Sequence, residues 1–125
     1  METPWGSNVM HTYNVTLETN QPMNTSFNSA PMNLNQMEGY AIQCVWTGTP
    51  TGSLKLQCSV DPNIGNIFPT NWIDLTGTTV SVTAAGSFMW NVTGAMYNWV
   101  RFNYTDLSSG VSTAIMTISN FNGKG

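Results

Sequence analysis

The apolar positions change rhythm near residue 38. Residues 11–18 (HTYNVTLE) alternate, with Tyr13, Val15 and Leu17 on one side, and predict a strand. Between 19 and 37 a run of Asn, Pro and Ser carries isolated Met, Phe and Leu without a period, and predicts an extended or irregular segment. Beyond it, short alternating stretches follow one another between Gly-, Pro- and Asn-marked turns.

The best-defined unit is YAIQCVWTGTPTGSLKLQCSVD, residues 40–61. Pro50, Thr51 and Gly52 fit a three-residue hairpin loop, with Pro opening a type I turn and Gly supplying a left-handed residue. Counting outward from that loop sets Thr49 against Ser53, Trp46 against Leu56 and Cys44 against Cys58. The alternation agrees, since Ile42, Cys44 and Trp46 share one face and Leu54, Leu56, Cys58 and Val60 share the other strand's matching face. Cys44 and Cys58 are therefore a disulfide candidate, expected as a directly opposed pair with Cα atoms about 4.5 Å apart.

After a Pro- and Asn-punctuated loop over 61–70, strands are predicted at 71–75, 79–83 and 87–92, the last with Phe88, Trp90 and Val92 on one side. Residues 97–105 place Val100, Phe102 and Tyr104 on one face and Trp99 and Arg101 on the other. Residues 111–119 are apolar on both faces, as in a central strand. Short strands at regular spacing with no convincing helix predict an all-β fold, an antiparallel β-sandwich with a jelly-roll-like arrangement as one option. The domain division expected is an extended N-terminal arm over 1–37 and a sandwich over 38–125.

Ordering such an arm costs about 1–2 kcal/mol per residue, more than polar Asn and Ser contacts offset. The expected remedy is burial against other chains through Met10, Tyr13, Met23, Phe27, Met32, Leu34 and Met37, with Met adapting to uneven grooves. A homo-oligomer or a larger assembly is the expected setting.

Composition sharpens that picture. Only 7% of the 125 residues are charged, against roughly 25% in ordinary soluble domains, and the net charge is -3. Ser, Thr, Asn and Gly give a polar, uncharged exterior suited to packed protein contacts or to sugar hydroxyls. Nucleic acid is not an expected partner, because Lys55, Arg101 and Lys124 are scattered and phosphate binding needs clustered cations. No apolar run approaches the roughly 18 residues of a membrane span, so no membrane partner is expected. Glu2 and Pro4 stand where a signal peptide needs its basic and apolar regions. The sequons at Asn14, Asn24, Asn91 and Asn103 then carry no meaning of their own.

Candidate chemistry is sparse. His11 is the only histidine, with no nucleophile at a diagnostic spacing, so no Ser-His-Asp or Cys-His set forms and no enzyme is expected. Two cysteines and one distant His do not make a zinc spacing. Glu38, Asp61, Asp74 and Asp106 each sit beside turns, where Asp caps its own backbone. The 61–66 loop has one carboxylate, thin for calcium, and reads as an Asx-type turn. No cofactor is expected. Trp46 and Trp90 fall on apolar faces and are expected in the core. Trp99 shares a face with Arg101, which predicts a stacked pair at an interface, with Asp74 or Asp106 as the intrachain anion for the guanidinium.

The Gly-Tyr-X-Ile-Gln strand at 39–43, Ser-Val-Asp at 59–61, Asn-Trp at 71–72, Trp-Val-Arg at 99–101 and the Lys-Gly end resemble small virion proteins of tailed bacteriophages. The resemblance covers roughly 38–125. It implies a β-sandwich without catalytic residues, displayed on heads or on tail and fibre parts. The function it implies is capsid decoration or cementing, with the major capsid protein or other virion proteins as partners. The alternative is a tail- or fibre-associated module that binds host glycans. Location in the virion, after assembly in the host cytoplasm, follows, and a reducing cytoplasm favours free thiols at assembly.

Overall fold

The computed structural model describes residues 12–35, 37–62 and 67–125. Its strands are β1 (Thr12–Pro22), β2 (Phe27–Asn28), β3 (Met32–Asn33), β4 (Gly39–Thr47), β5 (Gly52–Ser59), β6 (Ile73–Asp74), β7 (Val80–Val82), β8 (Gly86–Thr93), β9 (Trp99–Asp106) and β10 (Ile115–Lys124). All pairings are antiparallel. One sheet runs β1-β10-β4-β8; the other has β2 and β3 on one side of β9, then β5, then β6 and β7. With β2/β3 and β6/β7 each taken as one broken strand, eight strands fill two four-stranded sheets. The chain crosses between the sheets at nearly every connection, which is the jelly-roll arrangement.

Alternation built these strands. Along β4 the pattern of burial follows the period of two, with Tyr40, Ile42, Cys44 and Trp46 inward. Leu54 and Leu56 of β5 and Val100, Phe102 and Tyr104 of β9 face them from the other sheet. Trp90 and Phe102 meet across the core at 6.3 Å between ring centroids. β6 to β9 lie within one or two residues of the predicted stretches, whereas β10 begins at Ile115 rather than 111 and runs on to Lys124. It lies between β1 and β4, and a register shift between Met116 and Ile118 lets apolar residues point both ways.

The predicted hairpin does not form. Both sides of β4 are taken, by β10 and β8, so β5 pairs instead with β9, β6 and β7 in the opposite sheet. Cys44 lies opposite Ser119 and Phe88, Cys58 opposite Val100 and Ile73, and both thiols are free. Alternation specifies which face of a strand is buried but not which strand lies beside it, and a sandwich core accepts the two apolar faces from opposite sheets equally well. The crossing is held by buried Pro50 and by Gly48, at φ 84°, where a Cβ would stand 2.8 Å from the Ala114 Cα.

The arm is also corrected. From residue 12 it belongs to the sandwich: β1 pairs along β10 from Thr12 opposite Lys124 to Pro22 opposite Ile115, and β2 and β3 pair with β9. Leu17, Met23, Met32 and Leu34 are buried in this chain's own core, and Phe27 and Met37 pack partly against it. Among the described residues, the boundary at 37 therefore separates nothing. The physical reason is that β9 and β10 supply the partners that the polar segment lacks by itself. Ser29 shows how: its N–H donates to Phe102 O (2.9 Å) and its Oγ accepts from Phe102 N–H (3.0 Å), so a Ser bridges the gap between two short strands. The expectations for Met10 and His11 fall outside the described residues.

Candidate interaction surface

The two outer faces differ in chemistry. On the second sheet, Lys55 and Gln57 of β5 and Arg101 of β9 point outward because their neighbours point in. Arg101 Nε donates to Gln57 Oε1 (2.8 Å), Gln57 Nε2 donates to Asp74 Oδ1 (2.9 Å), and Lys55 Nζ reaches Asp74 Oδ2 (2.9 Å). The Arg101 guanidinium lies over Trp72, 4.3 Å from the ring centroid. Hydrogen bonds from Gln57 and Lys55 hold the Asp74 carboxyl below its ordinary range, and partial desolvation lowers the Arg101 pKa.

This network corrects two expectations. Arg101 reaches Asp74 only through Gln57, while Asp106 accepts instead from the Ser108 N–H (3.0 Å) and hydroxyl. Trp99 does share the outer face, yet Arg101 stacks on Trp72 and Trp99 is covered edge-on by Phe68, 5.9 Å away. The cause is the stretch over 67–72, which places Phe68 on Trp99 and Trp72 under Arg101. Asp61 clamps it, its carboxylate accepting from the N–H groups of Thr70 (2.9 Å) and Asn71 (3.0 Å), while Asn98 Nδ2 donates to Asp61 O (2.9 Å). Those backbone donors hold the Asp61 carboxyl below its ordinary range. Gln57 and Trp72 were not singled out by sequence; the signal available was the polar alternate face of β5.

Three successive rows on the first sheet's outer face carry only uncharged side chains. They run Asn14, Asn122, Ala41, Asn91; then Thr16, Asn120, Gln43, Met89; then Thr19, Ile118, Val45, Ser87. Thr16 Oγ1 donates to Asn120 Oδ1 within the second (3.1 Å), and Met89 and Ile118 are exposed. The row at the sheet's end adds one cation, Lys124, opposite Gly39, while Lys55, Asp74 and Arg101 stand on the opposite face.

Two depressions flank the sheets. One of about 670 Å³ is lined by Met37, Tyr40, Asn91, Met96, Asn122 and Lys124. Another of about 430 Å³ has Tyr13, Met32, Asn33, Phe68 and Trp99 in its walls. Neither gathers a nucleophile with a base, and among the described residues no three metal-ligating side chains converge. Of the expected interface residues, Tyr13 is exposed, Met23, Met32, Leu34 and Trp99 are buried, and Phe27, Met37 and Arg101 are half-buried.

No protein-family model matches this chain. No curated protein matches it. Among solved structures it is similar to the SPBc2 prophage-derived protein YomS, with a TM-score of 0.55 and 8% identity, over 94% of this chain and 96% of that one. The likeness is one of fold. The Tobacco streak virus coat protein superposes more loosely, with a TM-score of 0.46 and 5% identity, over 94% of this chain and 85% of that one.

Proposed function

We propose that this chain is a structural protein of a phage virion that decorates or cements the capsid, seated through the three uncharged rows on the outer face of its first sheet. The observation that carries the reading is the run of three uncharged rows across the first sheet's outer face. Rows built from Asn, Thr, Gln, Ala, Val, Ile, Ser and Met have no ion to desolvate when covered, so burying them against a capsid protein is inexpensive. The jelly roll is a recurrent fold of viral capsid domains and also of lectins. The shared fold with a prophage-derived protein and the sequence resemblance favour the phage setting. The mechanism is burial by the sheet face, with residues 12–35 serving the sandwich itself. Free thiols suit assembly in the host cytoplasm.

The glycan-binding alternative draws less support. A sugar platform needs exposed Trp; among the described residues, Trp46, Trp90 and Trp99 are buried and Trp72 lies beneath Arg101. The test is quantitation of the chain in purified particles, with Gln43→Lys and Asn120→Glu as variants on the exposed face. A decoration protein is present in many copies and loses occupancy when either charge is introduced. Absence from particles, or occupancy indifferent to both variants, would refute the proposal.

A further inference from the structure

Four strand edges border the two sheets, and the sequence blunts three of them. The edge at β1 carries a register shift between Thr16 and Glu18, a left-handed Asn20 at φ 52°, and Pro22 at its end. The β2/β3 edge is interrupted by Pro31. The β6/β7 edge consists of two- and three-residue pieces separated by a turn. Each device is one by which natural sheets prevent edge-to-edge pairing.

The fourth edge has none of them. β8 (GSFMWNVT) runs eight residues in unbroken register with β4, from Gly86 opposite Trp46 to Thr93 opposite Gly39. It contains no charge, no proline and no bulge. Among the described residues, the backbone groups of β8 that point away from β4 make no hydrogen bond. Its side chains are also incompletely covered: Met89 is 55% exposed, and Phe88 and Val92 only partly reach the core. Trp90 fixes the strand by donating from Nε1 to Thr78 O (2.9 Å). A rigid, straight, neutral edge is a template for strand addition.

We infer that β8 is a self-association edge, pairing antiparallel with β8 of a second copy of this chain about a two-fold axis normal to the sheet. Three features select a second copy as the occupant. First, a two-fold puts identical residues near one another, which a charged strand resists and this neutral one does not. Second, any register that keeps the pleats in phase sets Ser87, Met89, Asn91 and Thr93 against one another outside. The same register sets Phe88, Trp90 and Val92 against one another inside, covering the apolar surface that β4 leaves open. Third, the axis joins the two first sheets into one eight-stranded sheet whose outer faces lie on the same side. Eight residues of edge pairing bury less than a standard interface, so the isolated dimer is weak, with a dissociation constant in the micromolar range.

The pairing stands on the sheet's geometry and does not depend on the virion reading. Sedimentation velocity of the full chain across roughly 1–200 µM spans the affinity expected of an interface this small. It should show a concentration-dependent monomer–dimer equilibrium. Met89→Lys, on an exposed position, should weaken the dimer about tenfold or more by setting like charges together, with an unchanged melting temperature. Met89→Gln and Tyr13→Lys, the latter on the opposite edge, should leave it intact. A chain monomeric throughout, or a dimer indifferent to Met89→Lys, overturns the inference. A monomeric chain that still loads onto particles would overturn the edge pairing and leave the virion reading standing. A β8-dependent dimer that never associates with particles would do the reverse.

Discussion

Truncating Met23 tests whether the polar N-terminal segment is part of the core. Met23 is fully buried; its N–H donates to Ala114 O (2.9 Å), and its carbonyl accepts from the Tyr104 hydroxyl (3.1 Å). Met23→Ala keeps both backbone bonds and removes Cγ, Sδ and Cε. At about 0.8 kcal/mol per methylene-sized group, the transfer loss is about 2.4 kcal/mol. The space left between Tyr104 and the segment before β10 closes only in part, which raises the expected cost to about 3 kcal/mol. That is a large fraction of the roughly 5–15 kcal/mol that holds a domain folded. Guanidinium unfolding followed by Trp fluorescence measures it, with an unchanged m-value and a lower midpoint as the expected result. Met96→Ala, at a position 90% exposed, is the control and should stay within about 0.5 kcal/mol of the parent. A Met23→Ala loss no greater than the control's would refute the docking of this segment. So would cooperative folding of a chain lacking residues 2–37.

Gly52→Ala should be among the costliest single-methyl additions, because a Cβ there would stand 2.3 Å from Thr105 O and 2.7 Å from the Tyr104 ring. A destabilisation of roughly 1–3 kcal/mol is expected by thermal melting, and a neutral result would contradict the close β5–β9 approach. Burial pushes the Cys44 thiol up to about 12 and raises that of Cys58. A chromogenic disulfide reagent near neutral pH should therefore find Cys44 inert and Cys58 slow until denaturant is added; two rapidly reacting thiols in the native protein would count against both placements. Asp61, Asp74 and Asp106 hold their carboxyls below the ordinary 3.8, through the Asn71 and Thr70 N–H groups, through Gln57 and Lys55, and through Ser108 respectively. Their folded values lie below the unfolded ones, so their stabilisation is complete above about pH 4 and is lost as pH falls through the depressed values. Urea midpoints should show a decline confined to the acid side, which triple replacement by Asn should flatten.

What the sequence determined by itself was local. Period-two alternation set the strands and their inward faces, so Ile42, Cys44, Trp46, Leu54, Leu56, Phe102 and Tyr104 could be assigned to the core before any partner was known. The dearth of ions likewise set a largely uncharged polar exterior. Tertiary structure decided the partners. Loop chemistry at Pro50 and Gly52 is compatible with a hairpin, but β10 and β8 fill both sides of β4, and that competition is invisible to residues 40–61 alone. The same holds for Met23, Ser29, Met32 and Leu34, whose irregular spacing looked like an arm until strands some 70 residues later supplied their ladder and their core. The Arg101 network follows the same logic, since Gln57 and Trp72 come beside it only when β5, β9 and the clamped segment after β5 stack together. Alternation is a short-range signal fixed by the pleat, whereas strand order is set by which pairings together bury the most apolar surface. That sum runs over the whole chain.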